Sequence, residues 1–355
     1  MTTTDKAKIT PLRLGVIGTG QISQILLPLL PLETIAIAGL TDLNPDSARA
    51  LAEKSGSPPI FSDYTSLFAS KEIEAVYIAT PPSTHLPLTL AALKAGKHVI
   101  CEKPWMLNAD EAQKVAAEVA KHPDLKVGCC SSRFCFSPAA EVARQKVSAT
   151  ALGTLRQARI IARVDRPSPL DKLPPWMRSI QLTGGGAGAD WGVYEIEWLR
   201  SILGSALNPV SLTATLDYWG REGSGLESSY QVTISCADNL EVQLIRTAEI
   251  GPSEHCAELR GDRAGLNVPF APNAKDNLAR LYTLGPDGKA VETLLDVPPT
   301  EDWGLILCGP LLNLAAAVRL GTPVAASAES QILVHEILDA IYTSGREGHP
   351  LVFKK

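Results

Sequence analysis

No stretch of this chain offers the ~18 uninterrupted apolar residues that a membrane-spanning helix needs. Its opening, MTTTDKAKITPLRLGVIG, has no apolar core of the signal-peptide kind before the first strand-like run. A cytoplasmic protein is therefore expected. No long basic run occurs and the formal net charge is −5, which argues against nucleic acid or an anionic membrane as the main partner. The seven cysteines are an odd number. Cys129, Cys130 and Cys135 lie close together but match no zinc spacing, so reduced, partly buried thiols are expected and no metal. Internal repeats and low-complexity segments are also missing.

What is present is an ordinary globular composition, 45% hydrophobic and 20% charged over 355 residues. A single core stops growing near ~250–300 residues, so two domains are expected. From Leu12 to about Cys130, strand-like runs (13–18, 34–40, 74–80, 98–101, 125–130) alternate with helix-like segments (46–56, 84–96, 109–122). That alternation implies βαβ units and a parallel sheet with helices on both faces. After about residue 150 the runs 155–166, 210–220, 228–236, 241–249 and 255–270 follow one another with little helix between them. They imply a second, large, mainly antiparallel open sheet in an α+β domain. GPDGKA (285–290) reads as a hairpin turn. Helical character returns at 307–321 and 327–348, and the proline-rich 164–183 stretch reads as a surface or substrate loop. The expected domains are 8–130 and 131–355.

GVIGTGQIS (15–23) places Gly18 and Gly20 directly after the first strand-like run. Gly18 permits a tight turn, and Gly20 lets backbone N–H groups approach a pyrophosphate. Gln21 and Ile22 open a helix whose N-terminus favours an anion, and Ser23 stands for the third glycine. This is a dinucleotide site at the head of an α/β Rossmann domain. Pro28 and Pro31 imply a short or kinked first helix. Asp42 ends the next run, where a carboxylate binds ribose hydroxyls and repels a 2′-phosphate. NAD is favoured, with NADP left open; the alternative is that Asp42 only caps a helix. ATPPSTH (79–85) brings Thr80 and Pro81 to the nicotinamide side. His85 stands beside them, more a helix-start polar residue than a catalyst. CEKPW (101–105) sets Glu102 and the cation Lys103 at the same sheet edge.

GTGQIS, ATPPSTH, EKPW and GGGAGADWGVY (184–194), in this order, resemble the Gfo/Idh/MocA oxidoreductases over nearly the whole chain, with RFCFSPA (133–139) and the helical segment 313–352 as further support. The glycine stretch has no strand before it and leads into EIEWLRSILG, read as an amphipathic helix, so it is not in phosphate-loop context. The resemblance implies that Lys103, Asp190 and Tyr194 form the catalytic set. Tyr194 stands where many members carry His. A phenol titrating near ~10 is a poor base, and an ammonium beside it favours phenolate. Tyr194 is the implied acid/base, Lys103 the group that binds the alkoxide, and Asp190 the orienting residue. Asp190 and Tyr194 are four apart on a helix and share a face that also meets Glu197. Glu197 either contacts a sugar hydroxyl or pairs with Arg200. Arg133, Arg163, Trp176 and Arg178 are further substrate-contact candidates, each with a packing or surface alternative.

The resemblance implies an NAD(P)-dependent dehydrogenase acting on CH–OH groups of a sugar, polyol or related cyclic alcohol. The alternatives are an NAD-dependent glycosidase that oxidises its sugar transiently, and a non-catalytic sugar sensor. A homodimer or homotetramer through the second sheet is implied as well. The alternating apolar residues Val232, Ile234, Val242 and Leu244 could bury a partner's identical face, or be covered by the chain's own helices.

Overall fold

The computed structural model describes residues 10–165, 170–219, 225–249, 253–270, 278–298 and 303–353. The chain divides into two compact units. One is Met1–Arg133 with Gly304–Ile332, and the other is Phe134–Trp303 with Leu333–Lys355. The segment 304–332, which the sequence pattern assigned to the second domain, is thus part of the first unit.

The first unit carries β1 (Leu12–Ile17), β2 (Ile35–Thr41), β3 (Ala75–Ile78), β4 (His98–Cys101) and β5 (Val127–Cys129). Their order is β2-β1-β3-β4-β5 and every pairing is parallel. Between them lie α1 (Gln21–Leu26), α2 (Pro45–Lys54), α3 (Tyr64–Ala69), α4 (His85–Lys94) and α5 (Ala109–Val119). Alternation along each strand sends side chains to opposite faces. Tyr77 and Ile100 join a core with Leu311 and Leu314 from the C-terminal segment. Val76, Ile78 and Val99 join a second core with Leu88, Ala92 and Val115 of α4 and α5. Both faces are covered, which explains why these strands read as continuous apolar runs. The segment 304–332 escaped assignment because helix periodicity shows an apolar face but not which sheet it covers. The first helix is short, as Pro28 and Pro31 predict: α1 gives way to a 3₁₀ turn at Leu27–Leu29.

The second unit holds α6 (Pro138–Ser148), β6 (Leu155–Asp165), α7 (Ile180–Thr183) and α8 (Val193–Leu203). Then come β7 (Pro209–Tyr218), β8 (Glu227–Cys236), β9 (Glu241–Glu249), β10 (Glu254–Gly261), β11 (Ala264–Pro269), β12 (Ala279–Leu284) and β13 (Ala290–Leu295). β14 (Leu351–Val352) ends this unit, after α9 (Trp303–Leu320), which lies almost wholly in the first unit, and α10 (Ala328–Glu347), which begins in the first unit and ends in the second. The sheet order is β13-β12-β11-β10-β6-β9-β8-β7-β14. β6 and β9 pair in parallel, and the other pairings are antiparallel. The run 255–270, read as one strand, is a hairpin of β10 and β11, because Gly261–Arg263 turns the chain. The expected turn at 285–290 does join β12 to β13.

Val232, Ile234, Val242 and Leu244 are buried within the chain itself. They therefore belong to the chain's own core. Gln157, Arg159, Gln243 and Thr233 occupy the opposite, half-buried face.

Candidate functional site

Gly18, Asp42, Thr80 and Glu102–Lys103 all follow the C-terminal ends of adjacent parallel strands, β1 to β4. One edge of the sheet thereby collects every residue expected to hold a dinucleotide. Gly18 has φ +92°, and a Cβ there would stand 2.4 Å from the carbonyl oxygen of Ala79, so no other residue fits this turn. A Cβ on Gly20 would meet nothing within 4 Å. The chain leaves open space in front of the helix that Gln21 and Ile22 begin. No side chain caps that helix and its first turn has no acid, so its N–H groups suit a pyrophosphate.

Asp42 is anchored by Thr19, the residue between the two glycines of the turn. One carboxylate oxygen accepts the Thr19 N–H at 2.6 Å and its hydroxyl at 2.9 Å. The other oxygen accepts the Asn44 N–H at 2.7 Å, while Asn44, not Asp42, caps α2. Asp42 is thus fixed where ribose hydroxyls would be read, and Leu43 beside it is fully exposed. These features fit NAD: an anion-receptive helix start, a room-making Gly20 and a fixed carboxylate. Thr80 and Pro81 are half-buried at the same edge.

His85 and Glu102, both expected near the cofactor, are buried parts of the scaffold. The His85 ring has Nε2 2.8 Å from the Thr80 carbonyl and Nδ1 2.9 Å from that of Pro104. It ties the turn after β3 to the turn after β4. Burial lowers its pKa, against the raising pull of those carbonyls. Glu102 faces inward to Tyr77, whose hydroxyl donates at 2.5 Å, and to the guanidinium of Arg133. Burial alone would raise this carboxyl, but Arg133 and the Tyr77 hydrogen bond outweigh it and hold it at about 2. Arg133, a substrate-contact candidate, is consequently an internal counter-ion at 2% exposure. Lys103 itself is half-buried and joined to Pro104 by a cis peptide bond.

In the second unit, residues Gly188–Gly192 form one π-helical turn that runs into α8. Asp190 sits in that turn and Tyr194 in the first turn of α8. Such single π-turns concentrate at functional sites. Phe134 meets the Tyr194 ring edge-on at 4.9 Å and lies stacked with Trp191 at 6.0 Å. The guanidinium of Arg246 covers Trp191 at 4.6 Å. Trp191 therefore packs beside Tyr194 and is held by a cation–π contact.

Nine of the eleven residues of α8 are buried, among them Glu195 and Glu197, so this helix is not amphipathic. Glu195 accepts the Tyr230 hydroxyl at 2.6 Å and an Arg246 N–H at 3.2 Å, pinning α8 to β8 and β9. Glu197 accepts two hydrogen bonds from Arg200, at 3.0 and 2.7 Å. Of the two roles weighed for it, the ion pair is the one observed. Arg163 is exposed on β6. It is paired across the sheet with Glu254, on the side opposite His255, which packs against Trp191. Trp176 and Arg178 are exposed on a short 3₁₀ segment, Pro175–Arg178.

Among the described residues no helix is long and apolar enough to cross a membrane. Comparison with known proteins gives one consistent picture. The chain is 25% identical over 356 residues to an uncharacterised oxidoreductase of Rhizobium meliloti, covering 95% of this chain and 98% of that one. It is 31% identical over 209 residues to mouse trans-1,2-dihydrobenzene-1,2-diol dehydrogenase, covering 57% of this chain and 59% of the relative. Levoglucosan dehydrogenase, solved with NADH and L-sorbose, shares the fold with a TM-score of 0.84 at 20% identity, covering 98% of this chain and all of that one. Residues 12–128 match the Gfo/Idh/MocA oxidoreductase family's NAD-binding Rossmann fold, and residues 141–267 match that family's C-terminal domain. The chain belongs to the Gfo/Idh/MocA family of NAD-binding oxidoreductases.

Proposed function

We propose that this protein is an NAD-dependent dehydrogenase acting on a secondary or anomeric hydroxyl of a sugar, polyol or related cyclic alcohol. The observation that carries the reading is the common edge of β1 to β4. It sets the dinucleotide residues Gly18, Gly20, Gln21, Ile22, Asp42, Thr80 and Pro81 beside a lysine, Lys103. NAD, held by these residues, would supply the hydride acceptor for the carbinol carbon. Tyr194 takes the proton of the substrate hydroxyl, and gives it back in the reverse direction. Lys103 binds the oxygen as it gains charge. Asp190 orients the substrate through a neighbouring hydroxyl. A carboxylate at Asp42 favours NAD over NADP, because it would repel a 2′-phosphate.

The cyclic-alcohol reading follows the mouse relative, which is named as a dihydrobenzenediol dehydrogenase. Trp176 and Arg178, exposed on their short segment, remain the substrate-contact candidates outside the catalytic set. A cytoplasmic homo-oligomer completes the proposal. Its interface would use the polar face of the large sheet, where Arg159 Nε, Thr247 Oγ1 and Asn267 Oδ1 are buried without hydrogen-bond partners.

The test is turnover by purified protein with NAD or NADP and a panel of aldoses, inositols, sugar acids and cyclic diols. Reduction of NAD by one class supports the reading. NAD bound without reduction by any class contradicts it.

A further inference from the structure

The glycine run 184–188 precedes the π-turn, and its neighbours explain it. A Cβ on Gly186 would lie 2.2 Å from the backbone oxygen of Glu227. A Cβ on Gly185 would lie 1.9 Å from the hydroxyl of Tyr342, and one on Gly188 would crowd both side chains at 3.0 Å. Gly185, Gly186 and Gly188 are glycines because the backbone and side chain of Glu227 and the side chain of Tyr342 press against them, and no phosphate is needed to account for them.

Those side chains do the work of a helix cap. The residue at the cap position is Ala187, which supplies no side-chain acceptor. The exposed N–H groups of a helix start need partners. Glu227, fully buried at the start of β8, accepts the Gly186 N–H at 2.9 Å with one oxygen and the Gly188 N–H at 2.6 Å with the other. Tyr342 accepts the Ala189 N–H at 2.9 Å and donates its hydroxyl to Glu227, also at 2.9 Å. Two side chains remote in sequence thus satisfy three backbone donors around the turn.

We infer that Glu227, assisted by Tyr342, is a positioning residue that holds Asp190 in the π-turn and so sets it against Tyr194. The oxygens of Glu227 are occupied by these donors, so its action runs through the turn. A π-turn carries one residue more than an α-turn, and losing it would swing Asp190 by roughly 100° about the helix axis relative to Tyr194. A displacement of about 1 Å is enough to cost ~10²-fold in rate.

The importance of Asp190 and Tyr194 rests on the dehydrogenase reading, but the clamp does not, so the test has two arms. The first is hydrogen exchange of the 186–190 amides in wild type, Glu227→Gln and Tyr342→Phe, with no substrate. Exchange should rise at Gly186 and Gly188 in E227Q and at Ala189 in Y342F. The second is steady-state kinetics. In E227Q, kcat should fall about 10- to 100-fold, with substrate KM within a few-fold and NAD affinity unchanged; Y342F should show the same split more weakly. Wild-type exchange in both variants overturns the clamp. Loosened amides with unchanged kcat overturn the positioning role. If E227Q fails to fold, Y342F decides both points. Absence of turnover in the wild type sinks the dehydrogenase reading alone, and the exchange arm still decides the clamp.

Discussion

The carboxylate of Glu102 is gripped by the guanidinium of Arg133, with both side chains buried. Glu102 directly precedes Lys103, and its second oxygen also accepts the Lys103 N–H at 3.2 Å. The ion pair therefore fixes the backbone from which the lysine projects. Replacing Arg133 with Met leaves a buried carboxylate without its counter-ion, a loss of about 3–5 kcal/mol. Urea unfolding of R133M should show that loss. Unchanged stability with a raised substrate KM would return Arg133 to the substrate contacts.

The same pair predicts an acid limb. Folded Glu102 titrates at about 2, below its ordinary value of 4.5. Between those values the unfolded chain binds the extra proton. The stabilisation is complete above about 4.5 and is lost as pH falls toward about 2. Stability measured from pH 6 down to ~3 should fall less steeply in Glu102→Gln than in wild type, from a lower starting point. Parallel acid limbs would remove Glu102 from that role.

Tyr194→Phe should lower kcat by about 10²- to 10⁴-fold and leave NAD affinity unchanged. The Phe ring keeps the edge-on contact with Phe134. Calorimetry for NAD alongside kinetics separates the two effects. Full turnover in this variant would end the acid/base assignment.

Much of this site was legible in the sequence. Gly18, Gly20, Asp42 and Lys103 each stand just beyond a strand-like run, and strand ends in a parallel sheet share an edge by construction. The Glu197–Arg200 pair was legible as a spacing of three. What escaped were contacts between residues far apart along the chain. Arg133 lies 31 residues from Glu102, and Glu227 lies 41 from Gly186. Polarity alone suggested a substrate for Arg133, and burial decided otherwise. The π-turn has no periodicity signature in five residues, and the crowding that demands its glycines comes from β8 and Tyr342. The two glutamates of α8 made a buried helix look amphipathic.

Asp42→Ser should weaken NAD binding by about tenfold, near 1.4 kcal/mol, and narrow the preference against NADP. The freed Thr19 N–H and hydroxyl would then face the nucleotide. Titration of both nucleotides into wild type and D42S measures the change. Equal affinities in the two proteins would reduce Asp42 to a loop anchor.

The most direct measurement is the rise of the reduced-nicotinamide absorbance band when purified protein meets NAD and each alcohol of the panel. A dehydrogenase gives a rise with one class of cyclic alcohol or sugar, abolished in Tyr194→Phe. A flat trace across the panel, with NAD shown to bind, would contradict the dehydrogenase reading.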